Sequence, residues 1–305
     1  MFGRVGRNAN KAGHAACSGC SLCLLVCPAW RSTHDPRLTP EGRAKALQHG
    51  ATAEDVRASV EACTLCGACE PVCPERIDLV GMTLDLRMRL VDAKAVKVAQ
   101  AGMRARVRSN AVAARTLLLA GPSLLAKEAL LARIEALLGA RACPDDGADI
   151  AQALAAGVPV PPERLAEFLA GLRHAKRLVV EDGAWMRHLR VWLPKTRIAG
   201  LGEALSSLAA VRRGLRSTDL YVIEPRAYHG DYARLVGHYD RLRAERGCAF
   251  NLDLQRIAIP AHGQAGWILK GLAVDRVVVE RQEDAAAFEA LGAHAVVHIA
   301  ELADH

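Results

Sequence analysis

The chain reads Cys17-Ser-Gly-Cys20-Ser-Leu-Cys23-Leu-Leu-Val-Cys27-Pro28 close to its first residue, and the pattern returns as Cys63-Thr-Leu-Cys66-Gly-Ala-Cys69-Glu-Pro-Val-Cys73-Pro74. Both stretches have the form C-x2-C-x2-C-x3-C-P. Three thiolates on such a loop reach three irons of a [4Fe–4S] cube, and the fourth iron takes a cysteine from elsewhere. Where two such loops occur together, the fourth cysteine of each ligates the other cluster. The spacing therefore predicts two [4Fe–4S] clusters, with the ligand sets Cys17, Cys20, Cys23 and Cys73 for one and Cys63, Cys66, Cys69 and Cys27 for the other.

The same spacing argues against the two simpler explanations, which are structural zinc and unligated buried thiols. Zinc sites combine two pairs of ligands and do not need a third cysteine three residues further on. Pro28 and Pro74 directly follow the fourth cysteines, where proline fixes the backbone and removes a hydrogen-bond donor. The chain has ten cysteines, and eight of them in close spacings are typical of metal ligation in a reducing compartment.

The residues between the two runs predict helices. Thr39-Pro40-Glu41 combines an N-cap residue with Pro at the first helical position. Thr52-Ala-Glu-Asp55 is a capping box that predicts a helix over Val56–Ala62. We therefore expect short helices to join the two loops, in place of the brief strands of a small bacterial ferredoxin.

Residues 15–80 resemble the dicluster domain of the iron–sulfur subunits of glycolate oxidase and heterodisulfide reductase. They are also similar, more distantly, to the helical ferredoxin domain of succinate dehydrogenase. The matching residues are both cysteine runs, Thr39-Pro-Glu-Gly-Arg43 and Glu61-Ala-Cys-Thr-Leu-Cys66-Gly-Ala-Cys69. Those families carry electrons from a flavin-containing partner toward a quinone or a disulfide. The resemblance implies that this domain does similar work.

Composition sets wider limits on the fold and on the partners. A chain of 305 residues suits one large or two ordinary domains, and 51% hydrophobic residues are enough to fill a core. The 4% of aromatic residues favours aliphatic packing between helices. The formal net charge of +7 fits an acidic protein partner, an anionic membrane surface or a nucleic acid. Because no nucleic-acid recognition module is present, we predict no nucleic-acid partner.

The predicted location is cytoplasmic, with peripheral association at the inner face of the membrane as an alternative. The first residues lack the apolar core of a secretory signal, and no uncharged apolar run approaches the roughly 20 residues of a membrane-spanning helix. The best candidate, residues 111–132, contains Arg115, Pro122, Lys127 and Glu128.

Residues 84–115 are compatible with a helix and are strongly basic. They suggest either a docking surface for an acidic partner or a membrane face, or a solvated connecting helix. The basic residues in question are Arg87, Arg89, Lys94, Lys97, Arg104, Arg106, Arg108 and Arg115.

From residue 116 onward, short β-type runs alternate with helical stretches, which favours a parallel α/β sheet. The predicted buried strands are Thr116–Ala120, Arg177–Glu181, Leu220–Glu224 and Arg276–Glu280, and the clearest helices are Pro162–Leu172 and Tyr232–Arg246. Arg-Leu-Val-Val-Glu at 177–181 recurs as Arg-Val-Val-Val-Glu at 276–280, which suggests two similar halves about 100 residues apart.

This layout resembles the cysteine-rich CCG domain that follows the dicluster domain in the same families. There, each half carries a CCG stretch and a later CxxC, which bind a further cofactor or perform thiol chemistry. Here the corresponding stretches are Ala142-Cys143-Pro144 and Ala258-Ile-Pro260, and the CxxC positions read Asp182-Gly-Ala-Trp185 and Arg281-Gln-Glu-Asp284. Glu224-Pro-Arg-Ala-Tyr-His229 stands where the family has a Pro-Cys turn.

The loss of these cysteines predicts a degenerate domain that keeps the fold and not the chemistry. A cluster or a disulfide-reducing site needs several converging thiolates, and Cys143 and Cys248 alone do not supply them. We interpret both as buried or free thiols. Of the eleven histidines, four are considered as metal ligands, but they fit no zinc or iron motif and are interpreted as core or surface residues; they are His229, His262, His294 and His298. No dinucleotide fingerprint is present, so we predict no NAD or FAD site.

Together these features predict an α+β multidomain protein. The predicted parts are an α-helical ferredoxin-like dicluster domain (1–95), a basic helical linker (96–115) and a duplicated α/β parallel-sheet domain (116–305). The predicted role is that of a non-catalytic electron-transfer subunit in a hetero-oligomer. It would relay single electrons from a flavoprotein dehydrogenase or an electron-transferring flavoprotein to a quinone-linked or other acceptor, including a membrane-bound quinone-reducing partner. The alternatives are a disulfide-type reductase subunit, and a scaffold or assembly protein with structural clusters.

Overall fold

The computed structural model describes residues 12–104, 114–292 and 295–304. They divide into two compact units, one within Met1–Arg108 and Gly147–Phe168, the other within Ser109–Asp146 and Leu169–His305. The helices of the N-terminal part are α1 (Leu22–Leu25), α2 (Pro28–Thr33), α3 (Pro40–Gln48), α4 (Arg57–Glu61), α5 (Leu79–Leu90) and α6 (Ala93–Arg104).

The remaining elements alternate between strands and helices. The helices are α7 (Pro122–Leu125), α8 (Glu128–Leu138), α9 (Ala148–Ala156), α10 (Pro162–Leu172), α11 (Ala184–Trp192), α12 (Leu201–Ser206), α13 (Ala209–Arg213), α14 (Pro225–Gly230), α15 (Tyr232–Arg246), α16 (Ala265–Leu269) and α17 (Gln282–Glu289). The strands are β1 (Thr116–Leu119), β2 (Arg141–Ala142), β3 (Arg177–Val180), β4 (Arg197–Gly200), β5 (Asp219–Val222), β6 (Ala249–Phe250), β7 (Leu252–Asp253), β8 (Ile257–Ala258), β9 (Arg276–Val279) and β10 (Ala295–His298). Short 3-10 helices lie at His14–Ala16, Pro36–Leu38, Leu254–Arg256 and Ile299–Asp304.

Capping side chains start the helices between the two cysteine runs, as the sequence predicts. The Thr39 hydroxyl accepts a hydrogen bond from the Gly42 amide at 3.1 Å, and Pro40 is the first residue of α3. Thr52 and Asp55 form the reciprocal pair of a capping box, since each backbone N–H donates to the other side chain, at 2.8 and 3.3 Å. α4 begins two residues after Asp55.

A small apolar core holds these helices together. It is formed by buried residues of α3, α4, α5 and the chain around them, namely Ala44, Val56, Val60, Ile77, Leu79, Met82 and Leu86. Half-buried cysteines of both runs pack against it. The cysteine loops are therefore anchored on a helical core.

A distant segment, 147–168, belongs to this first unit. Arg87 on α5 donates a hydrogen bond to the Ala155 carbonyl at 2.6 Å. At Gly157 a Cβ would lie 2.4 Å from the Arg87 carbonyl carbon, so only glycine permits this approach. Met103 of α6 also packs on Val158. The sequence predicts one domain over 116–305 and a separate linker over 96–115, whereas the structure packs 147–168 and the described part of α6 in the first unit.

The second unit contains two four-stranded parallel sheets, with strand orders β2-β1-β3-β4 and β10-β9-β5-β6. If β5, β6, β9 and β10 are matched to β1, β2, β3 and β4, the two orders are the same. The registers agree as well, since Thr116 lies opposite Arg177 in one sheet and Asp219 lies opposite Arg276 in the other. β7 and β8 form a separate antiparallel pair.

The four predicted buried strands are confirmed as β1, β3, β5 and β9, which occupy the two central positions of each sheet. Their side chains are buried on both faces, which explains why they read as continuous apolar runs. The predicted helices Pro162–Leu172 and Tyr232–Arg246 are α10 and α15, with the same bounds.

The basic segment is not one continuous helix, because α5 ends at Leu90 and α6 begins at Ala93. Arg87 is half-buried, whereas Arg89, Lys94 and Lys97 are exposed. Arg106 and Arg108 lie outside the described residues. In the described part of the chain, no helix has both the length and the apolar character needed to cross a membrane.

Candidate iron–sulfur site

The two cysteine loops share one backbone conformation. In each loop the second and fourth residues after the first cysteine have positive φ: Gly19 (78°) and Ser21 (61°) in the first, Leu65 (57°) and Gly67 (79°) in the second. Glycine adopts this left-handed backbone conformation readily, whereas other residues adopt it only at a cost in free energy. That Ser21 and Leu65 adopt this conformation indicates that the tight turn between cysteines is imposed on both loops.

The fourth cysteine of each run leads away from its loop. Cys27 is the N-cap of α2, with Pro28 at the first helical position, and its amide donates to the Leu24 carbonyl at 3.0 Å. The Cys73 amide donates to the Glu70 carbonyl at 3.2 Å, and Pro74 follows. Proline directly after each fourth cysteine thus coincides with a change of chain direction.

The eight cysteines line two cavities, four in each. The first cavity, with about 330 Å³ of space not filled by protein atoms and partly open to solvent, is bordered by Cys17, Cys20, Cys23 and Cys73. The second cavity, with about 410 Å³ of such space, is bordered by Cys27, Cys63, Cys66 and Cys69. Pro40 and Leu79 line both cavities, so the two cavities are adjacent. Each cavity combines three cysteines of one run with the fourth cysteine of the other.

The first loop is held by two side chains of α3. The Lys45 ammonium donates to the Cys17 carbonyl at 2.8 Å and to the Gln48 amide oxygen at 2.9 Å. The Gln48 amide nitrogen donates to three backbone carbonyls, those of His14, Ala15 and Cys17, at 2.9 to 3.0 Å. These bonds fasten the start of the first loop to α3.

Arg87 holds the second loop, and a second arginine, Arg43, lies in the wall of the cavity beside it. Arg87 donates to the carbonyls of Val60 and Cys63. Arg43, whose residue is only 1% exposed, lines the second cavity and donates to the Ser59 hydroxyl at 2.9 Å and the Thr83 hydroxyl at 3.2 Å. A buried guanidinium is stable only where it is hydrogen-bonded and faces negative charge.

Burial makes these thiols poor acids on their own. It raises the pKa of Cys23 to about 12, with the Glu41 carboxylate adding to the effect, and the pKa of Cys66 to about 11. The pKa values of Cys27 and Cys69 are also raised, again mainly by burial. A bound cation reverses this preference, because a thiol that coordinates a metal is deprotonated outright.

The residues fit a polynuclear cluster better than a single ion. In the described ranges, no three histidine, cysteine or acidic side chains come close enough together to hold one metal ion. A zinc site requires four ligands around one centre, whereas each iron of a [4Fe–4S] cube takes one thiolate at the edge of a larger group. Four thiols distributed around a cavity match the second requirement.

The remaining cysteines lie in the second unit and are buried free thiols, as the sequence predicts. Cys143 follows β2 and its amide donates to the Leu118 carbonyl at 2.8 Å. Cys248 directly precedes β6. Burial raises the pKa of each thiol to about 11, so both are protonated near neutral pH.

The carboxyl ends of the central strands in this unit carry buried carboxylates. Glu280, directly after β9, accepts hydrogen bonds from the hydroxyls of Tyr221 (2.7 Å) and Tyr239 (2.6 Å) and from the Glu224 amide (2.8 Å). Glu181, directly after β3, accepts from the amides of Gly121 (2.6 Å) and Gln282 (3.0 Å). Burial raises the pKa of Glu280 and of Glu181 to about 7.

The four histidines have separate environments. His298 is buried and its ring contacts the Glu280 carbonyl at 3.1 Å and the Ala300 amide at 3.2 Å. His229 is buried on α14, His262 is exposed, and His294 lies outside the described residues.

Sequence reasoning did not assign roles to the side chains that hold the loops. Arg43, Lys45 and Gln48 lie on α3, whose first residue is Pro40. In the sequence, Arg87 stands out only as one residue of a basic segment. One signal was available: a charged residue and an amide at positions 45 and 48 lie three apart on a helix and so project from the same side.

Comparison with known families reaches the same part of the chain. Residues 13–77 match the model of the 4Fe-4S dicluster domain family. No curated protein and no solved structure matches the chain. The match covers both cysteine runs, and it supports 4Fe-4S cluster binding and an iron–sulfur electron-transfer role for this part of the protein.

Proposed function

We propose that the chain is an electron-transfer subunit that binds two [4Fe–4S] clusters and relays single electrons through them. The observation that carries the proposal is the division of eight thiols into two cavities that share Pro40 and Leu79. Clusters bound there would exchange single electrons without bond making or proton transfer. The contribution of the protein is to place the two sites close together, exclude water and adjust the local charge.

The ligand assignment is part of this proposal. Cys17, Cys20, Cys23 and Cys73 would hold the cluster of the first cavity, and Cys63, Cys66, Cys69 and Cys27 that of the second. The support is that these are the cysteines bordering each cavity. Lys45 and Gln48 would keep the first loop closed around its cluster, and Arg87 would do the same for the second loop.

We further propose that the second unit is a degenerate CCG-like domain of two similar halves, used for binding. The matching strand orders of its two sheets support the repeat. A disulfide-type reductase is disfavoured, because the carboxyl ends of β3 and β9 carry Glu181 and Glu280 in place of converging thiols. A scaffold role with structural clusters is the remaining alternative.

The proposed partners are a flavoprotein dehydrogenase or an electron-transferring flavoprotein as donor, and a quinone-linked or other acceptor, within a hetero-oligomer. The proposed location is cytoplasmic, with peripheral contact to the inner membrane face as an alternative. The chain alone is expected to be catalytically silent and to become reduced only when its donor is present.

The direct test is iron and sulfide analysis with EPR-monitored redox titration on protein purified without oxygen. We expect about eight irons and magnetically coupled signals from two nearby reduced clusters. Cys73→Ser and Cys27→Ser should each lose one cluster, and Cys143→Ser, a buried thiol outside both cavities, is the matched control that should lose none. Stoichiometric zinc with no iron would refute the proposal.

A further inference from the structure

The charged side chains around the two cavities are unequally distributed. Arg43 is buried in the wall of the second cavity. Arg31 on α2 is half-buried and interacts electrostatically with Cys27 and Cys66, and Arg87 does so with Cys63. Near the second cavity the negatively charged side chain is Glu70, which interacts electrostatically with Cys69.

The first cavity has the opposite balance. Glu41 and Glu75 both line it, and Glu41 acts electrostatically on Cys23. The Glu41 Oε2 atom is buried and has no hydrogen-bond partner among the residues that the structure describes. Lys45 is the cation on this side, and its ammonium is bound to the Cys17 carbonyl.

From this distribution we infer that Arg43 and Glu41 set the order of the two reduction potentials, so that the second cavity holds the electron more tightly than the first. The inference rests on the proposed function, since it requires a cluster in each cavity. Adding an electron makes a thiolate-ligated cluster more negative, and a nearby cation stabilises that form while a carboxylate destabilises it. Both effects are strengthened where the charged atoms are shielded from water, as at the Arg43 side chain and the Glu41 Oε2 atom.

Solvent exposure acts in the other direction but is weaker. Cys20 is exposed, and water near the first cavity stabilises added negative charge. Cys20 is the one exposed thiol, and Cys17, Cys23 and Cys73 are half-buried, whereas Arg43 and Glu41 place charged groups in the cavity walls. The internal step is then a one-electron exchange: the cluster of the first cavity is oxidised from the 1+ to the 2+ state as that of the second is reduced from 2+ to 1+. Electrons from the external flavin donor would therefore enter at the first cavity, where Cys20 reaches the surface.

The test compares the two reduction potentials in the full-length loaded protein and in single variants. Cys73→Ser and Cys27→Ser each leave one titrating signal, which assigns a potential to each cavity. Arg43→Gln should lower the potential of the second cavity, changing the electron distribution between the clusters by about tenfold, or about 59 mV for a one-electron couple. Glu41→Gln should raise the potential of the first cavity.

Two further variants separate charge from folding. Arg43→Lys keeps the charge and should retain most of the potential if Arg43 acts through charge. Arg31→Gln should shift the second potential in the same direction as Arg43→Gln and leaves the buried Arg43 contacts intact. Arg37→Gln is the matched control, because Arg37 is fully exposed and pairs with Asp35.

The outcomes distinguish the inference from the proposed function. Absence of iron in the wild-type protein would remove the proposed function. Two clusters with the lower potential in the second cavity, or potentials unchanged in both Arg31→Gln and Glu41→Gln, would overturn this inference and leave the electron-transfer proposal in place.

Discussion

The buried carboxylate of Glu280 makes the stability of the second unit depend on pH. Its side chain is enclosed by Tyr221, Tyr239 and the Glu224 amide, and burial raises its pKa from 4.5 to about 7. A carboxyl group with a raised pKa in the folded state contributes stability below its unfolded pKa, and this contribution is lost as the pH rises through the folded value. At about 1.4 kcal/mol per pKa unit, the folded state should lose roughly 3 kcal/mol from Glu280 alone between pH 4.5 and pH 9.

The variant Glu280→Gln isolates this contribution, because an amide has the shape of the protonated acid and does not ionise. Its amide oxygen can accept from the Glu224 amide, and its amide nitrogen can donate to the oxygens of Tyr221 and Tyr239, whose hydroxyls donate to Glu280 in the wild type. We expect the wild-type protein to be destabilised relative to the variant by about 2 to 3 kcal/mol more at pH 9 than at pH 5.

The assay is urea denaturation at several pH values, followed by the fluorescence of Trp185, Trp192 and Trp267 in a Trp30→Phe background. These three tryptophans lie in the second unit, so the signal reports on its unfolding. Glu289→Gln, an exposed position on α17, is the matched control. Identical pH dependence in wild type and Glu280→Gln would refute the reasoning, because it would mean that the carboxyl ionises without cost in the folded state.

Three further predictions concern buried groups and close packing. Asp219→Ala should destabilise the second unit by about 3 to 5 kcal/mol in urea denaturation, because it leaves the guanidinium of Arg276 buried without the carboxylate that binds it at 2.7 and 3.0 Å. Arg234→Ala removes a half-exposed ion pair with Glu203 and should cost about 1 kcal/mol of stability or less. Equal losses of stability in Asp219→Ala and Arg234→Ala would contradict the greater importance of the buried ion pair. Gly157→Ala should lower the thermal stability of the first unit by roughly 2 to 4 kcal/mol, since the added Cβ would lie 2.4 Å from the Arg87 backbone. Gly50→Ala in the same unit, at a similar positive φ with nothing within 4 Å, separates this clash from backbone strain. Gln48→Ala should accelerate iron loss at constant oxygen, measured by the decay of visible absorbance, because the carbonyls of His14, Ala15 and Cys17 at the start of the first loop lose the Gln48 amide as a donor.

The sequence predicts the grouping of the cysteines because their ligand pattern is local. Two runs of identical spacing require no knowledge of the rest of the chain, and the capping residues Thr39 and Thr52 act within a few positions of themselves. The central strands β1 and β9 are recognisable for a similar reason, since a strand buried on both faces is a continuous apolar run.

The side chains that surround the cavities depend on distant contacts and escape such reasoning. Arg43 meets Ser59 and Thr83, which are 16 and 40 residues away, and in sequence it looks like an ordinary solvated arginine of a helix. The edge strands β4 and β10 were not predicted, and each is only partly buried in the structure. Residues 147–168 were assigned to the domain 116–305 because they follow residue 116 in the chain. In the structure they contact the first unit, where Arg87 donates to the Ala155 carbonyl.

The carboxylates of the second unit join neighbouring segments at the carboxyl ends of its central strands. Glu181 and Glu280 follow equivalent strands, and each accepts the backbone N–H of the residue before a proline, Gly121 in one half and Glu224 in the other. At Gly202, a Cβ would lie 1.8 Å from the Glu280 carboxyl carbon, so the carboxylate occupies space that only glycine leaves open. A thiol is a weak acceptor and could not satisfy two or three donors at these points. The carboxylates and the glycine therefore form one structural solution, and introducing cysteines at the neighbouring positions would not by itself create a thiol site.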